Sequence, residues 1–356
     1  MARAALTIDL DAICANWRAL DALSAAGCET AAVLKADAYG CGANRVGPAL
    51  AQAGCRSFFV ALAEEGAALR EALGPGPAIY VLSGLLPGDA ALMHEARLWP
   101  VLNSIEQIRA LGADLPGHPC AVQFDSGMNR LGLEPADLAL AAVALEPLHP
   151  KLVLSHLACA GPTDHPMNAA QRDTFTAMAL ALPGLARSLS ATGGILLGAP
   201  YHFEMTRPGI GLFGGLPFAG AAPVVHLSLP VIQTRSVEPG EAVGYGAAWQ
   251  PARPSRIATL SAGYADGLIR AMGDAPADRA VKVFAGDIAC PVVGRVSMDL
   301  LTVDVTDLPE PPETLDILCA HQGIDALGAA ANTIGYEILT SLGSRYVRLY
   351  KGGEGS

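Results

Sequence analysis

Ala31-Ala32-Val33-Leu34-Lys35 is a short apolar run that closes on a cation. Runs of similar length and character recur at Ser57–Leu62, Ala78–Leu82, Trp99–Leu102, Ala121–Asp125, Leu152–His156, Ser188–Thr192 and Gly209–Phe213. Between them lie Ala- and Leu-rich stretches with helical patterning, among them Ala61–Ala72, Ser104–Ala110, Pro135–Leu145 and Ala169–Leu182, and Asp11–Ala25 precedes the first run. Short strands alternating with helices predict parallel pairing through helical crossovers. Eight such units predict a closed, TIM-like (β/α)8 barrel rather than an open sheet.

In such a barrel the functional groups gather where strands end at one face. Those ends carry Lys35 after the first strand, Asp125 through Arg130 after the fifth, His156 after the sixth and Thr192-Gly193-Gly194 after the seventh. Arg207-Pro208-Gly209 marks the approach to the eighth. Beyond about residue 225 the pattern changes to alternating runs at Val224–Gln233, Arg256–Leu260, Ala280–Phe284, Ile288–Val293 and Leu300–Val305. Pro239-Gly240 and Ala285-Gly286-Asp287 punctuate them, so a second, mainly β domain is expected. A helix-like stretch, Ala326–Leu342, and a Gly-rich tail, Lys351–Ser356, complete the chain. The expected division is a barrel over 8–225 and a mainly β domain over 226–356, with residues 1–7 able to pair with the latter.

Hydrophobic residues make up 51% of the 356 residues and charged ones 16%, ample for a sizeable core. The net charge of −11, with no basic stripe, argues against nucleic acid or an anionic membrane surface as partner. Asp9 and Asp11 interrupt the N-terminal apolar run too early for a secretory signal. The most apolar tract, beginning at Leu138, runs out at Glu146-Pro147, too short to cross a bilayer. No two of the eight cysteines stand in C-x-x-C spacing, so neither a metal site nor a disulfide framework is expected. A soluble, cytoplasmic protein is the expectation.

Lys35 by position alone is a solvated strand end, but at a barrel mouth it can lose hydration and serve as the amine of a Schiff base. Tyr39 follows in the segment Ala32-Val33-Leu34-Lys35-Ala36-Asp37-Ala38-Tyr39-Gly40-Cys41-Gly42, within reach of a phosphate or a ring. Taken singly, His156 reads as a core histidine, Arg207 as a surface charge, and Gly244-Tyr245-Gly246 and Gly263-Tyr264 as turns.

The Lys35 segment resembles the signature of the alanine racemase family, type III pyridoxal-phosphate enzymes. Further matches run in the family's order over nearly the whole chain. They are Phe124-Asp125-Ser126-Gly127-Met128-Asn129-Arg130-Leu131-Gly132, Ser155-His156-Leu157-Ala158, Arg207-Pro208-Gly209-Ile210-Gly211-Leu212-Phe213-Gly214, Gly263-Tyr264-Ala265-Asp266-Gly267 and Val293-Gly294-Arg295-Val296-Ser297-Met298-Asp299. The resemblance implies that Lys35 holds pyridoxal 5'-phosphate covalently and that Tyr39, Thr192 and the Gly209 and Ile210 amides bind its phosphate. It implies that His156 packs on the pyridine ring, Arg207 faces the ring nitrogen, and Arg130 contacts the phenolic oxygen and the substrate carboxylate.

The activity implied is two-base racemisation of L- and D-alanine, with Lys35 taking the proton from the D-isomer and Tyr264 from the L-isomer. Tyr264 and Met298 are implied to act in the partner's site of a head-to-tail homodimer, and D-alanine to serve peptidoglycan synthesis or catabolism. Tyrosine titrates near ~10 unperturbed, so Tyr264 needs cationic support, most directly through His156 from Arg207. Rival readings are a racemase of broader specificity, such as for serine, and a non-catalytic pyridoxal-phosphate carrier. The chain departs from the family pattern at two places. Gln123 stands where many relatives have a carbamylated lysine, so either an anion such as chloride supplies the missing charge, which is the favoured expectation, or amide hydrogen bonds alone hold Arg130. Ala191-Thr192 replaces the usual Asn-Ser, removing one ring contact, so weaker cofactor retention is expected.

Overall fold

The computed structural model describes residues 3–275, 277–310 and 312–353. They form two compact units. One comprises Ile13–Leu212 and Pro217–Ala221; the other runs up to Ala12 and includes Phe213–Leu216 and Ala222–Gly353. The chain begins with β1 (Ala5–Asp9) and the helix Leu10–Leu23.

The larger unit is the barrel. Its strands are β2 (Glu29–Thr30), β3 (Ala32–Val33), β4 (Ser57–Val60), β5 (Ala78–Val81), β6 (Trp99–Leu102), β7 (Pro119–Gln123), β8 (His149–Leu154), β9 (Ala186–Ser188) and β10 (Met205–Thr206). From β3 to β9 each strand pairs in parallel with the next. β10 pairs in parallel with β2 on one side. On the other, Glu204 N–H donates to the Arg187 carbonyl at 3.1 Å and Arg207 N–H to the Ser190 carbonyl at 2.8 Å, which closes the ring onto β9. Ser57, Phe58, Phe59, Val60, Val101, Leu102, Ala121 and Val122 are all buried, as strands covered on both faces require.

The eighth strand is not where the sequence placed it. It is Met205–Thr206, while Ile210–Phe213 coils as a 3-10 turn. Pro208 has no N–H to give a ladder, so the strand stops before it. Arg207 therefore closes the eighth strand instead of preceding it. The seventh strand also ends early, at Ser188, and Thr192 opens the short helix Thr192–Leu196.

In the smaller unit the remaining strands are β11 (Val225–Val237), β12 (Ser255–Leu260), β13 (Lys282–Ala285), β14 (Ile288–Pro291), β15 (Leu301–Asp304), β16 (Thr314–Leu318) and β17 (Val347–Lys351). They form one sheet in the order β14-β13-β16-β11-β1-β17, with β12 and β15 continuing from β11. The expected helix over 326–342 is instead two, Ile324–Ala330 and Gly335–Ser341; Asn332 at φ 55° turns the chain between them. Among the described residues no helix is long and apolar enough to cross a membrane.

β1 lies between β11, antiparallel, and β17, parallel, and Leu6 and Ile8 are wholly buried there. Ile8→Ala leaves a cavity in this sheet and should cost about 2–5 kcal/mol, read from the denaturant midpoint of unfolding. A loss below about 1 kcal/mol would show that β1 is not part of the core.

Candidate active site

The strand β3 ends with Leu34 N–H donating to the Phe59 carbonyl at 2.8 Å, and the chain then reverses its hand. Ala36, Asp37 and Ala38 at φ 54° and Tyr39 at 55° form a left-handed turn, which Gly40 at 82° leaves. Each L-residue in this conformation costs about 1–2 kcal/mol. The turn is held by Ala38 N–H to Leu34 O and Gly40 N–H to Ala36 O, both 2.8 Å, and by Gly42 N–H to Asp37 O at 2.9 Å. The Asp37 carboxylate accepts the Ala43 N–H at 2.7 Å at the start of the helix Ala43–Ala53.

The turn buries Tyr39 against Gly209, where a Cβ would overlap the tyrosine hydroxyl. Lys35 stands at its head. Its side chain is exposed, yet the protein around the amine removes enough water to lower its pKa; Arg130 lowers it further and Glu65 opposes them.

Arg130 belongs to the loop after β7. One Asp125 carboxylate organises that loop, accepting the N–H groups of Gly127, Met128 and Asn129 at 2.8–3.1 Å and of Arg130 at 3.2 Å. Burial works to raise the Asp125 pKa, but these four donors outweigh it and hold it below the usual carboxylate range. Gln123, buried at the end of β7, donates its side-chain N–H to the Leu131 carbonyl at 3.0 Å, so it ties the Arg130 loop through the backbone.

His156 and Arg207 follow at the ends of β8 and β10. The Arg207 guanidinium is buried, donates to the Ser188 hydroxyl and to the Ser155 carbonyl (2.7 Å), and lies 5.8 Å from the Phe59 ring centre. Among the described residues it forms no ion pair with a carboxylate, and burial brings its pKa down to about 10, which leaves it a cation near neutrality. Desolvation, then Arg207, Arg130 and Lys35, push His156 down to about 3, so its imidazole is neutral. Gln171, fully buried on the helix Pro166–Ala179, accepts the Ala158 N–H at 2.8 Å and donates to the His156 carbonyl at 3.0 Å, fixing this loop.

Thr192, also buried, accepts the Gly209 and Gly211 amides at its hydroxyl oxygen, both at 3.2 Å, which leaves the hydroxyl proton free to be donated. Ile210 is buried between those two glycines. The Gly209 amide is thus directed at Thr192, a use the sequence did not indicate. Ala191 precedes the helix as its cap and makes no side-chain hydrogen bond there. A tyrosine hydroxyl, a threonine hydroxyl and a glycine backbone with no room for a Cβ form a small donor cradle beside an amine of lowered pKa. That set fits a phosphorylated aldehyde.

Tyr264 and Met298 lie in the other unit. Tyr264 N–H donates to Ser297 O at 3.0 Å and Ala265 N–H to Met298 O at 2.9 Å, which brings the two motifs together. A Cβ on Gly263 would overlap the Ser297 and Met298 carbonyls. Asp266, buried behind the turn, accepts the Gly263 N–H at 2.9 Å and pairs with Arg345 at 2.6 Å; Arg345 reaches Asp299 at 2.8 Å. The loops are braced from behind, while Tyr264 and Met298 are 42% and 54% exposed. Glu65, Gln171, Ser188 and Arg345 were not singled out from sequence. Glu65, an acid in the first turn after a strand, carried a detectable signal; the others act through contacts between distant segments.

The profile of the alanine racemase N-terminal domain matches residues 8–217 and that of the C-terminal domain matches 224–350. An alanine racemase of Cereibacter sphaeroides is 60% identical over 98% of this chain and 99% of its own length. That of Dinoroseobacter shibae is 59% identical, covering 99% of both. The crystal structure of the alanine racemase of Bartonella henselae with covalently bound pyridoxal phosphate superposes with a TM-score of 0.91 at 36% identity, over 99% of this chain and 100% of that one. The biosynthetic enzyme of Pseudomonas aeruginosa gives 0.90, also at 36% identity and with the same coverage. With both domain profiles matched in order and relatives alike over their full length, the chain belongs to the alanine racemase family.

Proposed function

We propose that this racemase works with two acid/base groups, the Lys35 amine on one face of the substrate and the Tyr264 phenol on the other. The reaction is the interconversion of L- and D-alanine, and the cofactor is pyridoxal phosphate. The relatives named above share one activity in their names, so neither the serine nor the non-catalytic reading is carried further. The observation that carries the proposal is an amine of lowered pKa at the head of a braced turn, acting on His156 together with the buried Arg207, which has no carboxylate partner among the described residues.

Pyridoxal phosphate, when bound, withdraws electrons from Cα and so acidifies its proton. Lys35 would hold the cofactor; Tyr39, Thr192 and the Ile210 amide would hold its phosphate, with Gly209 leaving room for the Tyr39 hydroxyl and donating to Thr192; His156 and Arg207 would border its ring. Arg130 meets the substrate carboxylate. A proton removed from one face must be replaced from the other, and a single side chain does not serve both. The Lys35 amine, which sheds its proton more readily than an ordinary lysine, acts on the D-isomer. The Tyr264 phenol acts on the L-isomer. His156, neutral, can donate at one ring nitrogen and accept at the other, and so connects Tyr264 to the fixed charge of Arg207. Arg207 can only donate, so it would suit a ring nitrogen of the cofactor that accepts a hydrogen bond. Tyr264 and Met298 come from a second copy of the chain, in a head-to-tail homodimer. An anion such as chloride beside Gln123 supplies the negative charge that a neutral amide cannot. The enzyme acts in the cytoplasm and supplies D-alanine for peptidoglycan.

In deuterated water, Tyr264→Phe should lose label entry from L-alanine by about 10²–10⁴-fold while retaining it from D-alanine. Equal loss from both isomers would overturn the division of roles. Mixed under conditions of subunit exchange, inactive Lys35→Ala and Tyr264→Phe chains should regain about a quarter of wild-type activity. Half of the dimers are then hybrids, each with one intact site of two; no recovery despite demonstrated exchange excludes the shared site. Gly209→Ala should weaken cofactor retention at least about tenfold in a titration, since its methyl displaces Tyr39. Unaltered affinity removes Tyr39 and Gly209 from the cradle. Exchanging chloride for gluconate should raise KM for alanine at least about twofold; halide-independent kinetics would leave Arg130 to the hydrogen bonds of Asp125 and Gln123, without an anion.

A further inference from the structure

Glu65 lies in the first turn of the helix Ala63–Leu73. One of its oxygens, Oε2, accepts the N–H groups of Ala61 at 2.8 Å and Leu62 at 3.3 Å, the usual work of an acid at a helix start. The other oxygen does something a cap does not need. It crosses to the neighbouring loop, 29 residues back in sequence, and accepts the Ala36 N–H at 2.7 Å. Ala36 is the first residue of the left-handed turn, directly after Lys35. Ala38 and Gly40 find acceptors within that turn, at Leu34 and Ala36, but the leading N–H of any helical turn has none. Glu65 supplies it.

The same carboxylate also acts on the Lys35 amine as a negative charge, against desolvation and Arg130. The other charges nearby are accounted for. Asp37, on the turn itself, is bonded to the Ala43 N–H; Arg130 comes from the loop after β7; and His156, after β8, is neutral.

We propose that Glu65 is a positioning residue for Lys35, a single carboxylate that pins the entrance of the turn aiming Lys35 and Tyr39 and also sets the charge the amine experiences. This rests on the reading of Lys35 as the cofactor lysine. The two parts separate by substitution. Glu65→Gln keeps size and one acceptor oxygen but removes the charge; Glu65→Asp keeps the charge and shortens the reach.

The test uses holoenzymes. Borohydride reduction and peptide mass first locate the cofactor. Its visible absorption is then followed against pH, its loss on dilution is timed, and the pH profile of α-proton exchange is recorded for each isomer of alanine. Removing a negative charge disfavours a cationic nitrogen at Lys35. In Glu65→Gln the absorption midpoint should therefore move to lower pH, together with the acid limb of D-alanine exchange. In Glu65→Asp the midpoint should stay and cofactor loss should quicken about tenfold, the scale of one charge-assisted hydrogen bond.

A residue that merely stabilised the fold would not move the midpoint. An unmoved midpoint in Glu65→Gln, with the cofactor on Lys35, overturns the proposal while leaving the reading of Lys35 intact. Attachment at any other residue overturns both. Should Glu65→Gln fail to fold by circular dichroism, Glu65→Asp still decides: accelerated cofactor loss with the denaturant midpoint of unfolding unchanged upholds the proposal, and either parental cofactor retention or a loss matched by a lower unfolding midpoint overturns it.

Discussion

Four L-residues in succession, Ala36 to Tyr39, are held in the left-handed region at the mouth of the barrel. Short side chains at three of them limit the steric cost but do not remove it, so the surroundings must supply hydrogen bonds that an extended loop would lack. They do so from three directions: the carbonyl at the end of β3, the start of the next helix through Asp37, and the neighbouring loop through Glu65. The cost secures a fixed relation between two side chains. Lys35 enters the turn and Tyr39 leaves it folded back against Gly209, so that an amine and a hydroxyl four residues apart are held at fixed positions.

Around that turn the charge is lopsided. Arg207 is buried with a serine hydroxyl and a carbonyl as its partners, Arg130 is presented by a loop, and His156 is kept neutral by burial first and by the cations near it second. Burying a guanidinium without a counter-ion is costly. The cost becomes useful when the molecule to be bound brings its own phosphate and carboxylate. Tuning by removal of water, rather than by paired carboxylates, explains why the same surroundings lower both the Lys35 amine and the His156 imidazole.

Much of this was legible in the sequence. Six strands of the barrel, the change of pattern near residue 225 and the polar residues at strand ends follow from periodicity and from where barrels place their loops, while the seventh strand lies just before the run that suggested it. The eighth strand was misplaced because Gly209–Phe213 is apolar enough to resemble one, while the two-residue strand that closes the ring is too short to show a period. β16 and β17 were missed for a related reason: Asp316, Arg348 and Lys351 blur their alternation, and they are strands because β11 and β1 pair with them. The left-handed turn was invisible because Ala and Tyr have no preference for it; only the surrounding contacts impose it. Glu65 and Gln171 bind backbone groups far away in sequence, and no local motif records an acceptor's distant partner.

The placement of β1 has a consequence for how the chain is made. This strand precedes the barrel in the chain, yet its neighbours are β11, more than two hundred residues later, and β17, more than three hundred residues later. The barrel between them is built from contacts between successive units and can assemble as it emerges. β1 must wait through all of it with apolar side chains uncovered, and its sheet closes only once β17 has emerged. A nascent chain of this kind carries a vulnerable edge made long before its partners, and chaperones have that whole interval in which to shield it.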